Sequence, residues 1–358
     1  MPFTSFSGGD PVFNVEVIVT TECNLRCVYC HIKKEKYHIT QEEINTLLEY
    51  LSSRKDPYVL SLYGGEPLLY WDKCKKIIEG VHTLSNYSLC SKIELCTNGV
   101  LLKEDIIEFC EFYNVEIQVS FDAYHTDKTR PHVSGIQLSH FYKRLFSLCG
   151  NKIKWAYTIN PSYAKDLHNV VKWFISKGII NPRFSFVKNP SIDSRYFWTE
   201  STVNDLIVSH KKLCTDYAET LRNYNKSLMT FPILYYLQRL VGFSGRSGIT
   251  PRTCSDNRTS FYKGNFYPCY LHTTARISLF YKTEKIEKLC NSCEITGVCD
   301  KGCQFTYTDD IEEKLLFCKM QKGLYNNVIL LNEKLKDVPQ WQRIFVNIVK
   351  GGFSNGGC

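Results

Sequence analysis

Strand-like segments alternate with amphipathic helical segments through the first half of the chain, and this alternation constrains its fold more than any other feature. The strand-like runs cover residues 14–20, 58–64, 92–98, 115–122, 153–160 and 183–189. Thr40 and Glu43 form a predicted capping box at the start of one helix, and Gly178 has the position of a C-cap at the end of another. Because parallel strands need a crossover connection, these repeats predict an α/β fold with a parallel sheet, either open or curled into a partial barrel.

A cysteine-rich stretch, TTECNLRCVYCHIK at residues 21–34, follows the first strand and places Cys23, Cys27 and Cys30 on one loop. In parallel α/β sheets the functional site lies at the C-terminal ends of the strands, so this loop stands where chemistry is expected. The chain has 17 cysteines and no recognisable secretory signal. This combination favours reduced thiols that bind metal over a disulfide framework.

Three clustered thiolates favour an iron–sulfur cluster over zinc. A structural zinc ion takes four protein ligands, and no fourth cysteine or suitable histidine lies near the triplet, because His31 is adjacent but poorly placed. A four-iron cluster has four corners, so three thiolates leave one iron open to a ligand that is not protein. The loop is therefore predicted to hold such a cluster with one open iron.

Length, charge and hydropathy exclude several classes of function. The chain has 358 residues, a net charge of +8 and 44% apolar residues. No apolar run approaches the roughly 18 residues that a membrane span requires. The densest basic cluster, KKEK at 33–36, is expected to be solvated surface rather than a nucleic-acid patch. We therefore expect a cytoplasmic globular protein without a membrane or nucleic-acid partner.

The cysteine loop resembles that of the radical S-adenosylmethionine (SAM) enzymes, which carry Cys-x3-Cys-x2-Cys with an aromatic residue, here Tyr29, before the last cysteine. In that family the open iron chelates the amino and carboxylate groups of SAM. An electron from the reduced cluster cleaves the sulfonium, and the resulting 5′-deoxyadenosyl radical abstracts a substrate hydrogen. The resemblance implies that Cys23, Cys27 and Cys30 hold this cluster.

Further motifs at the strand ends match the SAM contacts of the family. YGGEP at 63–67 ends the second strand, and in the family this motif meets the SAM amino group through its backbone and its glutamate. TNG at 97–99 matches a contact on the ribose side, SFD at 120–122 places a serine facing SAM, and HTDKTR at 125–130 supplies a partner for the SAM carboxylate. The resemblance thus implies cofactor-binding roles for Tyr29, Gly64, Gly65, Glu66, Asn98, Ser120 and Arg130, with Asn160 as a weaker candidate.

Seven cysteines in the second half of the chain have an order and spacing that resemble the SPASM extension, the auxiliary-cluster domain of radical SAM enzymes that modify peptides. The resemblance implies one auxiliary cluster on Cys254, Cys269 and Cys303, and another on Cys290, Cys293, Cys299 and Cys318. Gly264 is expected in a tight turn. The first set lacks a fourth ligand, because some relatives supply it at the position of Gly248, so Cys214, Cys358 or an open iron completes that cluster. Three 4Fe–4S clusters are expected in total.

The resemblance also implies a domain organisation, in which a partial (β/α)6 barrel of the TIM type precedes a small cysteine-rich auxiliary-cluster domain. The radical SAM partial barrel is expected over residues 1–190, a bridging region over 191–250 and the auxiliary-cluster domain over 251–325. A C-terminal helix at 324–335 and a flexible tail are expected in the last part, residues 326–358.

The implied reaction is cleavage of SAM coupled to oxidative modification of a peptide or protein side chain. The first hypothesis is an oxidoreductase that matures a ribosomally made peptide by forming a thioether or carbon–carbon crosslink. An anaerobic sulfatase maturase that makes formylglycine is an alternative. Tyr270, however, stands where those enzymes carry an aspartate base, and a tyrosine with a pKa of about 10 is a poor base at neutral pH.

Two hypotheses from other functional classes remain. A radical dehydrogenase of a small molecule would usually have a shortened cysteine extension, whereas the extension here is complete. A non-catalytic iron–sulfur electron carrier would not need YGGEP and the other motifs that match SAM contacts.

The implied partners are a peptide or protein substrate and a flavodoxin- or ferredoxin-like electron donor. Many peptide maturases also carry a small leader-binding domain before the barrel, whereas about thirteen residues precede the first strand here. A separate leader-binding protein is therefore a further candidate partner.

Overall fold

A parallel sheet forms the centre of the molecule. The computed structural model of the chain describes residues 13–149, 153–179, 182–187, 197–224, 233, 258–267, 280–281, 292–295, 305–306 and 311–349. The strands of its main sheet are β1 (Phe13–Thr20), β2 (Tyr58–Gly64), β3 (Cys90–Thr97), β4 (Val115–Ser120), β5 (Ile153–Ile159), β6 (Arg183–Phe186), β7 (Arg258–Tyr262) and β8 (Asn265–Tyr267). Their order is β6-β5-β4-β3-β2-β1-β7-β8.

The first six strands are parallel and follow one another in space as they do in sequence. Helices form the crossover connections that such neighbours require. The α-helices are α1 (Gln41–Ser52), α2 (Trp71–His82), α3 (Glu104–Phe112), α4 (Thr126–Thr129), α5 (Ser139–Cys149), α6 (Leu167–Ser176), α7 (Glu200–Tyr224), α8 (Ile311–Leu335) and α9 (Pro339–Val349). The predicted α/β fold with a partial, barrel-like parallel sheet is therefore confirmed.

Local signals in the sequence account for where two of these helices begin and end. The Thr40 side chain accepts a hydrogen bond from the Glu43 amide at 3.2 Å, and the Thr40 amide donates to the Glu43 carboxylate at 2.7 Å, which completes the predicted capping box of α1. Gly178 follows α6 with a φ of +75°, a left-handed conformation that glycine adopts without steric cost.

The two faces of the sheet differ in polarity because successive side chains of a strand point to opposite faces. Val15, Val17 and Val19 of β1 are fully buried in the core that the helices cover. The opposite face carries polar pairs, such as Ser61 donating to Glu94 at 3.0 Å. The core therefore lies between sheet and helices, and the inner face of the partial barrel is polar.

The β7–β8 hairpin extends the sheet beyond β1, and β7 runs parallel to β1. Lys263 and Gly264 make its two-residue turn with φ values of 50° and 74°, the positive pair that a type I′ turn requires. This agrees with the tight turn expected at Gly264. The hairpin lies within residues 251–325, for which an auxiliary domain is expected, and it pairs with the barrel sheet.

The C-terminal region contains more helix than the sequence predicts. The helix expected at 324–335 begins at Ile311, and α9 lies in the segment expected to be a tail. Trp341 of α9 is 1% exposed, and its indole donates to Asn332 of α8 at 3.0 Å. Burial of this large ring accounts for the extra helix, since α9 has a core to pack against. No helix in the described part of the chain is long and apolar enough to cross a membrane.

Candidate active site

The cysteine loop, residues 21–30, leaves the C-terminal end of β1 and is held by the end of β2. The Gly65 amide donates to the Thr20 carbonyl at 2.7 Å, and the Glu66 amide donates to the Glu22 carbonyl at 2.8 Å. A Cβ atom built on Gly64 would overlap the Thr20 carbonyl oxygen, and one built on Gly65 would overlap the Glu22 carbonyl oxygen. The two glycines are therefore needed because two backbones meet there.

Glu66 is a buried carboxylate that follows these glycines. Its oxygens accept from the Leu68 amide at 3.1 Å, the Thr97 hydroxyl at 2.6 Å and the Asn98 amide at 2.7 Å. Burial raises its pKa, and these hydrogen bonds partly oppose the rise. A carboxylate offers about four acceptor positions. One therefore stays available for a further donor, as the predicted contact with the SAM ammonium requires.

Asn98 joins the end of β3 to the cysteine loop. Its side-chain amide donates to Asn24 at 2.7 Å and lies 3.8 Å from the Cys23 sulfur. The backbone carbonyl of Asn98 accepts from the Tyr142 hydroxyl at 2.7 Å. The structure thus brings Cys23, Glu66 and Asn98, which three separate motifs supply, to one edge of the sheet.

The three thiols of the loop are free and half-buried. Burial raises the pKa of Cys27 to about 12, with Arg130 opposing the rise and the other two thiols adding to it. Within the described residues, no group of three or more His, Cys, Asp or Glu side chains could hold a single metal ion. A cluster makes a different demand, because each thiolate binds its own iron. The Cys30 amide donates to the Cys27 carbonyl at 3.1 Å, so these two cysteines lie on one tight turn.

Asp122 connects the loop to β4, although sequence reasoning assigned it no role. It is fully buried and accepts hydrogen bonds from the hydroxyls of Tyr29 and Thr129, the latter at 2.7 Å. Arg130 forms an ion pair with it, with Nε 3.1 Å from Oδ2. The sequence signal for this role was the position of Asp122 in the SFD motif, directly after β4. A carboxylate at such a position is either solvated or, when buried, paired.

Asn160 is a buried side chain at the end of β5. It is 1% exposed, and neither its amide nitrogen nor its oxygen has a hydrogen-bond partner in the described part of the chain. An unsatisfied buried polar group costs about 1–3 kcal/mol, so such a group points to a ligand that pairs with it. Ser120, which ends the neighbouring β4, is half-buried. Free thiols and unpaired amide atoms at one sheet edge fit a cluster with bound SAM.

Two of the predicted auxiliary ligands, Cys293 and Cys318, lie in the described residues, and both are half-buried. They lie near Lys322 of α8, whose ammonium pairs with Glu294 at 3.1 Å. The Glu294 carboxylate raises the pKa of Lys322, with smaller contributions from both cysteines. The other predicted positions lie outside the described residues: Gly248, Cys254, Cys269, Tyr270, Cys290, Cys299, Cys303 and Cys358.

Cys214, a candidate fourth ligand, lies on α7. Its side chain is 4% exposed, and its sulfur is 3.9 Å from Nδ1 of the buried His210. Burial raises its pKa to about 12. These surroundings are those of an ordinary core thiol.

Known proteins resemble mainly the barrel region in sequence. Residues 17–159 match the model of the radical SAM superfamily. An uncharacterised protein of Methanocaldococcus jannaschii is 26% identical over 176 residues, which are 48% of this chain and 61% of that protein. A probable GTP 3′,8-cyclase of Archaeoglobus fulgidus is 32% identical over 124 residues, which are 34% of this chain and 40% of the cyclase. Less than two thirds of each relative is therefore matched.

Solved structures resemble a larger part of the chain. The structure of anSMEcpe with bound AdoMet and the Cp18Cys peptide has a TM-score of 0.71 at 17% identity, covering 94% of this chain and 100% of anSMEcpe. Streptococcus suis SuiB bound to precursor peptide SuiA has a TM-score of 0.53 at 13% identity, covering 83% of this chain and 75% of SuiB. At these identities the likeness shows a shared fold. The sequence similarity to the radical SAM superfamily lies in residues 17–159 of this chain.

Proposed function

We propose that this chain is a radical SAM enzyme that oxidatively modifies a peptide or protein side chain, forming a thioether or carbon–carbon crosslink in a ribosomally made peptide. The observation that carries the proposal is the cysteine loop, which bears three free thiols and whose Cys23 sulfur lies 3.8 Å from the Asn98 amide, beside Glu66 at the C-terminal edge of the sheet. SAM bound to the reduced cluster supplies a 5′-deoxyadenosyl radical there.

The residues of the site bind and orient that cofactor. Cys23, Cys27 and Cys30 hold the cluster, and Glu66 has one acceptor position left for the SAM ammonium. The unpaired amide of Asn160 can take both a donor and an acceptor of the ligand, which removes its desolvation penalty. Burial of these groups excludes water from the place where a reactive radical would otherwise be quenched.

A peptide substrate is supported by the fold and by the C-terminal cysteines. The structures of anSMEcpe and SuiB that share this fold were solved with bound peptides. Cys293 and Cys318, 25 positions apart in the chain, both contribute to raising the pKa of Lys322, which supports placing them in one auxiliary cluster. A flavodoxin- or ferredoxin-like donor supplies the electron, and a separate leader-binding protein remains a candidate partner.

Sulfatase-maturase-like formylglycine formation is the second candidate, because the anSMEcpe fold covers almost the whole chain. The base position that argues against it, Tyr270, lies outside the described residues. The match to a GTP 3′,8-cyclase covers 34% of this chain and 40% of the cyclase, which is too little to indicate the substrate. A small-molecule dehydrogenase is the remaining alternative.

Peptide modification is tested by anaerobic coexpression with a candidate peptide encoded beside the gene. We expect a loss of about two mass units per site, since a crosslink removes two hydrogens, and no loss with Cys23→Ala. Cys90→Ala is the matched control, because Cys90 is a half-buried thiol at the opposite end of the sheet, where β3 begins. An unmodified peptide, with 5′-deoxyadenosine still formed, would favour the other substrate classes. SAM cleavage by Cys23→Ala would refute the cluster assignment.

The auxiliary clusters are tested by iron content. Three 4Fe–4S clusters require about 12 iron atoms per chain, and loss of any one leaves about 8. We expect Cys318→Ala to lose one cluster and product formation while keeping abortive SAM cleavage, because Cys318 lies on α8 and the radical forms at the barrel. A Cys318→Ala protein with unchanged iron and turnover would refute an essential auxiliary cluster at that site.

A further inference from the structure

Arg130 already has a carboxylate partner inside the protein. Its guanidinium pairs with Asp122 in a two-point contact, with Nη2 3.2 Å from Oδ1 and Nε 3.1 Å from Oδ2. Asp122 is fully buried and Arg130 is 6% exposed. Such a buried, two-point ion pair is costly to open because each charge would lose its partner. This edge of the guanidinium therefore faces Asp122, to which Nη2 donates, while Nε has no hydrogen-bond partner in the described part of the chain.

The other side of the guanidinium faces the cysteine loop. Nη1 lies 4.0 Å from the Cys27 sulfur, within the range of an N–H···S hydrogen bond. Nη2 also donates to the Thr158 hydroxyl at 3.3 Å, and the guanidinium carbon is 5.4 Å from the centre of the Tyr29 ring. Asp122, Thr158, Tyr29 and Cys27 thus surround Arg130.

Asp122 holds this arrangement together. The same carboxylate accepts from Tyr29 of the cysteine loop, from Thr129 of α4 at 2.7 Å and from the Thr158 amide of β5 at 3.2 Å. Through these bonds one side chain fixes the loop, the segment that carries Arg130, and a neighbouring strand.

The backbone around Arg130 is also paired with the cysteine loop. The Arg26 amide donates to the Pro131 carbonyl at 2.8 Å, and the Val28 amide donates to the Thr129 carbonyl at 2.9 Å. Arg130 therefore lies between two backbone bonds to the loop that carries Cys27, so its distance from that sulfur is set from both sides.

We propose that Arg130 serves the cluster rather than the SAM carboxylate, donating a hydrogen bond to the Cys27 thiolate, and that Asp122 is the positioning residue that holds it there. The inference rests on the proposed function, since it requires a cluster on the three loop cysteines. A hydrogen-bond donor and a positive charge beside a cluster sulfur stabilise the more negative, reduced state. Arg130 therefore raises the reduction potential of this cluster.

The test is a redox titration, followed by electron paramagnetic resonance, of the reconstituted full chain without SAM. The signal of this cluster is the one that Cys23→Ala removes. At a fixed potential, Arg130→Met is expected to lower the reduced-to-oxidised ratio of this signal about tenfold, equivalent to 59 mV for one electron. Arg130→Lys keeps the charge and loses the planar fork, so a smaller fall is expected. Lys128→Met removes the same charge from an exposed position on α4, two residues before Arg130, and should leave the ratio unchanged.

The positioning role of Asp122 is tested by the double variant Asp122→Asn/Arg130→Met, which also serves if Arg130→Met alone does not fold. If Asp122 acts through Arg130, Arg130→Met and the double variant should give the same reduced-to-oxidised ratio, because neither retains the guanidinium that Asp122 positions. A difference between them as large as the effect of Arg130→Met would show that Asp122 acts independently of Arg130.

A role of Arg130 in binding the SAM carboxylate would give a different result. If Arg130 binds the SAM carboxylate, Arg130→Met will raise the SAM dissociation constant about tenfold or more and leave the titration without SAM unchanged, which overturns this inference alone. If Cys23→Ala removes no signal, the cluster assignment fails, and the proposed function and this inference fail together.

Discussion

The two glycines at the end of β2 lie closer to a neighbouring backbone than any side chain permits. In the family resemblance, Gly64 and Gly65 belong to a motif that contacts SAM. The structure adds a second reason for them, because they let β2 meet the first residues of the cysteine loop. A single residue type thus connects cofactor binding with the packing of the chain itself.

Gly65→Ala is predicted to destabilise the protein by about 1–3 kcal/mol or more, because the new methyl group meets a backbone oxygen that cannot rotate away. Urea unfolding measures the change. Gly80→Ala is the control, since its Cβ would lie 2.6 Å from a flexible Leu48 methyl and alanine favours the helix there. Equal stability of the two variants would contradict the close approach.

At the scale of elements, α1 is specified both by a local signal at its start and by the face it buries. In α1 the capping box satisfies the first amides of the helix, and Ile44, Leu47 and Leu51 are fully buried against the sheet. The capping box and the apolar face both indicate a helix that starts after Thr40, and α1 begins at that position.

Thr40→Ala is predicted to lower the free energy of unfolding by about 1 kcal/mol, because it removes the side-chain acceptor at the N-cap. Thr46→Ala is the matched control on the same helix. Thr46 is exposed and in the helix interior, where alanine has the higher helix propensity, so no loss is expected. If both variants lose the same stability in urea, the cap contributes nothing particular.

At the scale of the whole molecule, the C-terminal helices pack with the rest of the chain. Gly323 of α8 lies where a Cβ atom would overlap the Ile207 side chain of α7, so the two helices approach closely. Asn327 of α8 donates to the Ile207 carbonyl at 2.9 Å, and Trp341 of α9 is buried in the main core. The end of the chain therefore contributes to the stability of the fold.

Trp341→Ala is predicted to cost about 3–5 kcal/mol, the usual price of removing a fully buried large ring. Trp341→Phe should cost less, because it keeps an aromatic ring and loses the hydrogen bond to Asn332. Thermal unfolding of both variants measures this order. A change below about 1 kcal/mol for Trp341→Ala would mean that α9 is not part of the core.

Local patterns in the sequence were sufficient to predict the six β/α strands, the capping box of α1 and the tight turn at Gly264, because each depends on residues a few positions apart. The gathering of Glu66, Asn98 and the loop cysteines was predictable in outline, because the ends of parallel strands share one edge of a sheet.

Only the tertiary structure decided which side chains of the site contact one another. Arg130 and Cys27 are 103 positions apart, and Asn98 and Asn24 are 74 apart. The pairing of Arg130 with Asp122 was missed for a related reason: both lie near each other in sequence, but their contact depends on burial by β5 and the cysteine loop. Burial and register arise from the folded sheet, and no local pattern records them.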